Sequence, residues 1–352
     1  MVELVRLLSQ PHRNLWLAGD DDQSIHGFRG ARSDIFVSFN EDYGGDGKTI
    51  TMSHNYRSTQ NIIRAANSLI SRNKKRVEKQ MVTDNEEGED VEILRGDTEI
   101  EEAEIIAKKI LELTEGGYRF GGVAILARLY RLMPLIEGAL IKEKIPYNAS
   151  GEFFYDRQDM KTAVAAMEYL LTGCSEEQLN LELLIGVRED LYAHHEEMNL
   201  RAAFEVACTY TMIKRDGNYL DDEAQILKRT YLDALEHLVD LHQDLNGLLA
   251  HIEEARRVNK FSDAGKVTLM TIHQAKGLEF KCVIVPGLNE GILPHINSVA
   301  DMANMEEERR LMYVAMTRAM ERLMITYRKR QTGQPVTVAS RFLGELVGAS
   351  EA

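Results

Sequence analysis

Gly47-Lys48-Thr49 is the most tempting isolated run in this sequence whose residue types could do chemistry. Such a trio ends a loop of the form GxxxxGK[ST], in which backbone N–H groups and a lysine cradle polyphosphate. The pattern needs Gly at position 42, where the chain carries Asp42. A phosphate loop also follows a strand and opens a helix, whereas Lys48–Met52 (KTITM) alternates Thr with apolar residues as a strand does. The trio therefore reads as a turn entering a strand. Cys174, Cys208 and Cys282 are scattered and odd in number, which excludes a disulfide framework and a CxxC metal site, and no metal ligands are assigned. Two opposite charge runs stand out. Residues 84–104 are dominated by Asp and Glu, while Arg64, Arg72, Lys74, Lys75, Arg76 and Lys79 crowd residues 64–79. Charge runs are most often solvated faces, and only the basic one hints at nucleic acid.

The 352 residues suffice for about two domains with a sizeable core. At 44% hydrophobic and 28% charged, the composition is that of a globular chain, and wholesale disorder, collagen and coiled coil are excluded. A net charge of −14 weighs against indiscriminate nucleic-acid binding. No apolar run approaches the ~20 residues that cross a bilayer, and the N-terminus lacks a signal-peptide core. A reducing cytoplasm without membrane association is expected. Helices are predicted over Val2–Ser9, Asp34–Asn40, Thr59–Arg72 (capped by Ser58), Ile100–Leu113, Met133–Lys142 and Glu306–Ala319. Strands are predicted at Leu15–Ala18, Lys48–Met52, Val91–Leu94, Val123–Ala127, Val267–Ile272, Cys282–Val285 and Leu323–Tyr327, with a short extended piece around Pro146-Tyr147. Strand followed by helix, repeatedly, is the pattern of an α/β fold with a parallel sheet covered on both faces. From about Asp159 to Asn259 the spacing is helical throughout, with no Pro, and reads as an all-helical insertion.

Four longer segments carry more. They are Gly19–Ala31 (GDDDQSIHGFRGA), Ser53–Ser58 (SHNYRS), Val267–His295 (VTLMTIHQAKGLEFKCVIVPGLNEGILPH) and Glu306–Ala319 (EEERRLMYVAMTRA). In this order they resemble motifs III, IV, V and VI of the UvrD/Rep/PcrA family of superfamily 1 DNA helicases, and Ser340-Arg341-Phe342-Leu343 is similar to the ending of that family. The resemblance implies a RecA-like lobe and a set of roles. Arg318 matches the arginine finger, since a planar guanidinium bridges two phosphate oxygens and offsets developing charge. Arg57 matches a second γ-phosphate contact, and Gln23 the γ-phosphate sensor. Tyr56 matches the ring that stacks on adenine. Gly277 and Glu279 lie in the nucleotide segment, with Glu279 resembling the acid that accepts from ribose hydroxyls. On the DNA side, His26 and Phe28 stand where the family usually has Tyr and Trp; both stack more weakly, and the indole N–H is lost. Arg29, Thr271 and His273 match positions near the DNA backbone or coupling to it.

The same resemblance defines what is missing. No GxxxxGK[ST] is present, and no DExxD follows an apolar strand upstream of Gln23. The expected organisation is a remnant of the N-terminal RecA-like lobe over 1–53, the C-terminal lobe over 54–158 and 263–352, and the helical insertion over 159–262. The expected function is the C-terminal part of an ATP-dependent 3′→5′ DNA helicase acting in repair, replication or recombination. Its partners would be ATP with Mg²⁺, single-stranded DNA, and an N-terminal RecA-like lobe or subunit. Without Walker A and B residues, this truncated stretch is not expected to hydrolyse ATP by itself. The alternative is a freestanding nucleic-acid- or protein-binding regulatory module derived from a helicase lobe.

Overall fold

The computed structural model describes residues 2–9, 14–26, 39, 48–149, 152–173, 198–212, 222–260, 265–299, 301–330 and 337–346. Six strands form one sheet: β1 (Glu92–Gly96), β2 (Val123–Ala127), β3 (Tyr147–Ala149), β4 (Val267–Thr271), β5 (Phe280–Val285) and β6 (Ala319–Arg328), in the order β1-β6-β5-β2-β4-β3. Every neighbouring pair is parallel. This is the α/β arrangement anticipated from the strand–helix alternation. All five residues of β2 are buried, as a strand covered on both faces requires.

The pleat sorts the core into two layers. Val123, Ile125, Val267, Leu269, Cys282 and Ile284 face one layer, which contains α3 (Glu99–Glu115), α4 (Met133–Lys142) and the helices that follow β3. Those helices are α5 (Gln158–Thr172), α6 (Leu200–Met212), α7 (Asp222–Val239) and α8 (Leu245–Lys260). They separate β3 from β4 and join the same apolar core through Leu232, Leu235, Leu248 and Ile252. Ala124, Leu126, Val283, Val285, Leu323 and Ile325 face the opposite layer, which contains α2 (Gln60–Ile70), α9 (Met302–Met316) and α10 (Arg341–Leu346). Ahead of the sheet lie α1 (Val2–Ser9) and a 3-10 turn at Asp21–Gln23. No helix among the described residues is long and apolar enough to cross a membrane.

Several sequence expectations are corrected. Leu15–Ala18 and Lys48–Met52 are not strands: neither joins the sheet, and Trp16 (85%) and Met52 (91%) are exposed. Apolar alternation makes a strand only where a neighbour takes up its N–H and C=O groups. Ser58 does not cap α2. Thr59 holds the N-cap position without a side-chain bond, and the Ser58 hydroxyl donates instead to the Ala319 carbonyl at 2.6 Å. The helix predicted at Glu306–Ala319 begins earlier, because Asp301 accepts the Ala303 N–H at 2.8 Å, and it ends at Met316. Arg318 consequently stands in the turn between α9 and β6 rather than on a helix face. The predicted helix at Asp34–Asn40 lies outside the described residues, apart from Phe39.

Candidate functional site

The site is built where two turns meet the start of β6. In the first, the Asn55 side-chain oxygen accepts the backbone N–H groups of Arg57 and Ser58, both at 2.9 Å, closing a tight turn. The Ser58 hydroxyl bond to Ala319 and a Thr59 N–H bond to the Met320 carbonyl (3.0 Å) bolt this turn to β6. Arg57 is thereby delivered beside Arg318. Its Nε donates to Glu279 Oε2 at 2.7 Å, and its Nη1 to the Thr317 carbonyl at 3.1 Å.

Arg318 is 2% exposed. It donates to the Val314 carbonyl, the Leu278 carbonyl and the Thr317 hydroxyl, each at 3.1 Å. Among the described residues no carboxylate lies within ion-pair distance of it. Burial, followed by the neighbouring positive charge of Arg57, pushes its guanidinium down to about 10. A buried cation with only neutral acceptors and a second cation beside it is costly unless an anion approaches. The pair is chemically suited to a phosphate.

The other described residues singled out by sequence hold contacts of their own. Tyr56 is 83% exposed, its ring 4.4 Å from that of His54, and it presents a free face at the rim. Glu279 is half exposed and engaged by Arg57. Gly277, at φ +91°, adopts a conformation that favours glycine, in the turn before Glu279. Gln23 ends the 3-10 turn; its side-chain amide donates to Asp20 at 2.6 Å, and Lys276 donates to its carbonyl at 3.0 Å. The charge of Asp20 reaches Arg318, which puts this turn on the same side of the site. His26 lies 6.1 Å from His273, ring to ring. Thr271 is buried and donates to the Gln274 side chain at 3.0 Å. Phe28 and Arg29 lie outside the described residues.

What sequence reasoning missed is how Gln23 is held. Asp22, fully buried, accepts two bonds from Arg76 at 2.9 and 2.7 Å. Lys79 binds Asp20 at 2.8 Å and also contacts Asp21 and Asp22, while the Val77 N–H donates to Asp21 at 2.7 Å. Part of the basic run thus neutralises the acidic turn. Its loop is also fixed to α9, where Glu306 accepts the Lys74 N–H (2.7 Å) and Arg310 donates to the Lys75 carbonyl (2.9 Å). Opposite charge at the two places was the available signal. The carboxylates of Asp20, Asp21 and Asp22 lie within 4.8 Å of one another, a spacing a cation could use. Arg76 and Lys79 already fill that role, so these residues do not fit a Mg²⁺ site.

The UvrD-like helicase C-terminal domain family matches residues 50–184 and 220–330, and the UvrD/REP helicase N-terminal domain family matches residues 1–44. The ATP-dependent DNA helicase PcrA of Staphylococcus epidermidis is 31% identical, over 97% of this chain and 55% of the relative. PcrA of Staphylococcus aureus is 29% identical over the same shares. The chain spans about half the length of the curated relatives it matches.

Proposed function

This chain belongs to the UvrD-like helicase family, and from that premise we propose that it works within an ATP-dependent 3′→5′ DNA helicase of repair, replication or recombination. In this reading it contributes the γ-phosphate-sensing half of the ATP site and part of the single-stranded DNA track. A RecA-like lobe with Walker A and B residues contributes the phosphate loop, the Mg²⁺ ligands and the base. Mg²⁺, when bound with ATP, neutralises charge on the β- and γ-phosphate oxygens.

The observation that carries the reading is Arg318, buried, hydrogen-bonded only to neutral groups, and set beside Arg57. Two guanidiniums at one point repel each other until a multiply charged anion arrives, so closure on phosphate relieves an existing cost. Arg318 would bridge terminal-phosphate oxygens, and Arg57 would make a second contact. Moving Arg57 onto phosphate frees Glu279 to accept from ribose hydroxyls. Tyr56 supplies a stacking face for adenine, and the Gln23 amide, released from Asp20, can orient the attacking water. On the DNA side, His26, Phe28, Arg29, Thr271 and His273 are assigned to the strand or to coupling with it.

Mixing this chain with a family-type N-terminal RecA-like lobe tests the proposal. DNA-stimulated ATP hydrolysis that neither piece shows alone is expected, with a covalent fusion as control. A fusion that turns over ATP equally fast with Arg318 or Ala at that position refutes the arginine-finger assignment.

A further inference from the structure

A second buried ionisable centre lies on the other side of the sheet, in the seam between α4, β3 and α7. Glu137 on α4 is 1% exposed. Its carboxyl accepts from the Tyr147 hydroxyl of β3 at 2.9 Å and from the Tyr231 hydroxyl of α7 at 3.0 Å. The Tyr147 oxygen in turn accepts the Phe154 N–H at 3.3 Å. The Arg157 guanidinium, at the start of α5, covers the Tyr231 ring at 3.9 Å from its centre. Those two phenols and that guanidinium are the titratable and charged groups facing Glu137; α3 turns apolar Ala103, Ile106, Ala107 and Ile110 into the same core. Among the described residues no cation lies within ion-pair distance of the carboxyl.

The chemistry of this arrangement is lopsided. An ionised carboxylate here gives up its hydration for two neutral donors, so burial disfavours the charge more than the phenols restore it. Glu137 is accordingly raised from the ordinary value of 4.5 to about 7, through burial, with the bonds from Tyr147 and Tyr231 opposing. Any motion that draws α7 off α4 removes the Tyr231 hydroxyl and readmits water to the carboxyl.

We infer that Glu137 is a proton-operated seam: protonated, it lets the helix of residues 222–239 close on the sheet, and ionised, it loosens that helix. The sign follows from linkage. A group that holds its proton more tightly when closed contributes nothing unfavourable below pH 4.5, and its cost accumulates as pH rises towards about 7. Between pH 6 and 8 these two values give roughly a tenfold rise in the opening constant.

Amide hydrogen exchange on the full chain, corrected for intrinsic rates, tests this. Protection of α7 should fall about tenfold from pH 6 to pH 8 while β2 and β5 stay constant. Glu137→Gln should make the α7 response pH-insensitive to within about twofold. Tyr231→Phe, which removes one donor to the carboxylate and raises its affinity for the proton, should steepen the response; it also serves if the glutamine variant fails to fold. A flat wild-type profile, a Glu137→Gln profile as steep as the wild type, or an equal loss of protection in β2 and β5 would each overturn the inference.

Discussion

Removing the Asp22 carboxylate is the sharpest test of how the Gln23 turn is held. Asp22 receives two bonds from Arg76 at 2.9 and 2.7 Å and lies 3.3 Å from the Lys79 ammonium, in a fully buried position. Breaking one side of a buried pair usually costs about 3–5 kcal/mol, because the remaining charge is left uncompensated. Here Lys79 keeps Asp20 and Asp21, and Arg76 keeps the Lys79 carbonyl at 3.0 Å, so the lower end applies. Roughly 3 kcal/mol, read at about 1.4 kcal/mol per tenfold, corresponds to an opening constant some 100-fold larger. The effect should be local, since residues 20–26 contribute only Ile25 to the main core. Hydrogen exchange of peptides covering 20–26 and 72–82 should therefore accelerate about 100-fold in Asp22→Ala, with β2 and β5 unchanged. Asp22→Asn, which keeps the shape and one acceptor, should fall between. Acceleration below about tenfold would mean that Asp20 and Asp21 carry the clamp, and equal acceleration in the strands would mean the pair supports the whole fold.

Three further outcomes are expected. In the complemented or fused helicase, Arg318→Ala should cut ATP turnover by about 10³–10⁵ while sedimentation shows assembly intact. Tyr56→Ala should weaken an adenine nucleotide by about 1–3 kcal/mol yet leave tripolyphosphate binding within twofold by calorimetry, since in the proposed reading its exposed ring stacks on the base. Cys282, fully buried with its thiol pushed up to about 12 by burial, should resist alkylation at pH 8 in the folded chain and react once urea unfolds it, as mass spectrometry would record.

How much of this was legible in the residues depends on how far each feature reaches along the chain. β2 was legible because VAILA, buried throughout, needs no knowledge of its neighbours to be read as a covered strand. Leu15–Ala18 is as apolar and Lys48–Met52 alternates as a strand does, but a strand is a pairing, and side-chain pattern is silent about whether a partner is present. Arg57, Arg318 and Glu279 were legible through their motifs, and the structure brings them together from three separate turns. Their present partners were not legible, because the Thr317 and Leu278 carbonyls belong to backbone that any residue could supply. The Asp22–Arg76 pair spans 54 positions; the sequence shows the acidic Asp20-Asp21-Asp22 and a basic run over 64–79 without saying that they meet. Glu137 is the extreme case. In MPLIEGALIK it reads as the single acid of a mostly apolar helix, and its meaning arises only when Tyr147 and Tyr231, 94 residues from it in the latter case, converge on one carboxyl. Local chemistry thus announces itself in motifs. The buried charges that fix how segments sit against one another depend on contacts that only the completed fold creates, and substitution at Asp22 and Glu137 is where that distinction becomes measurable.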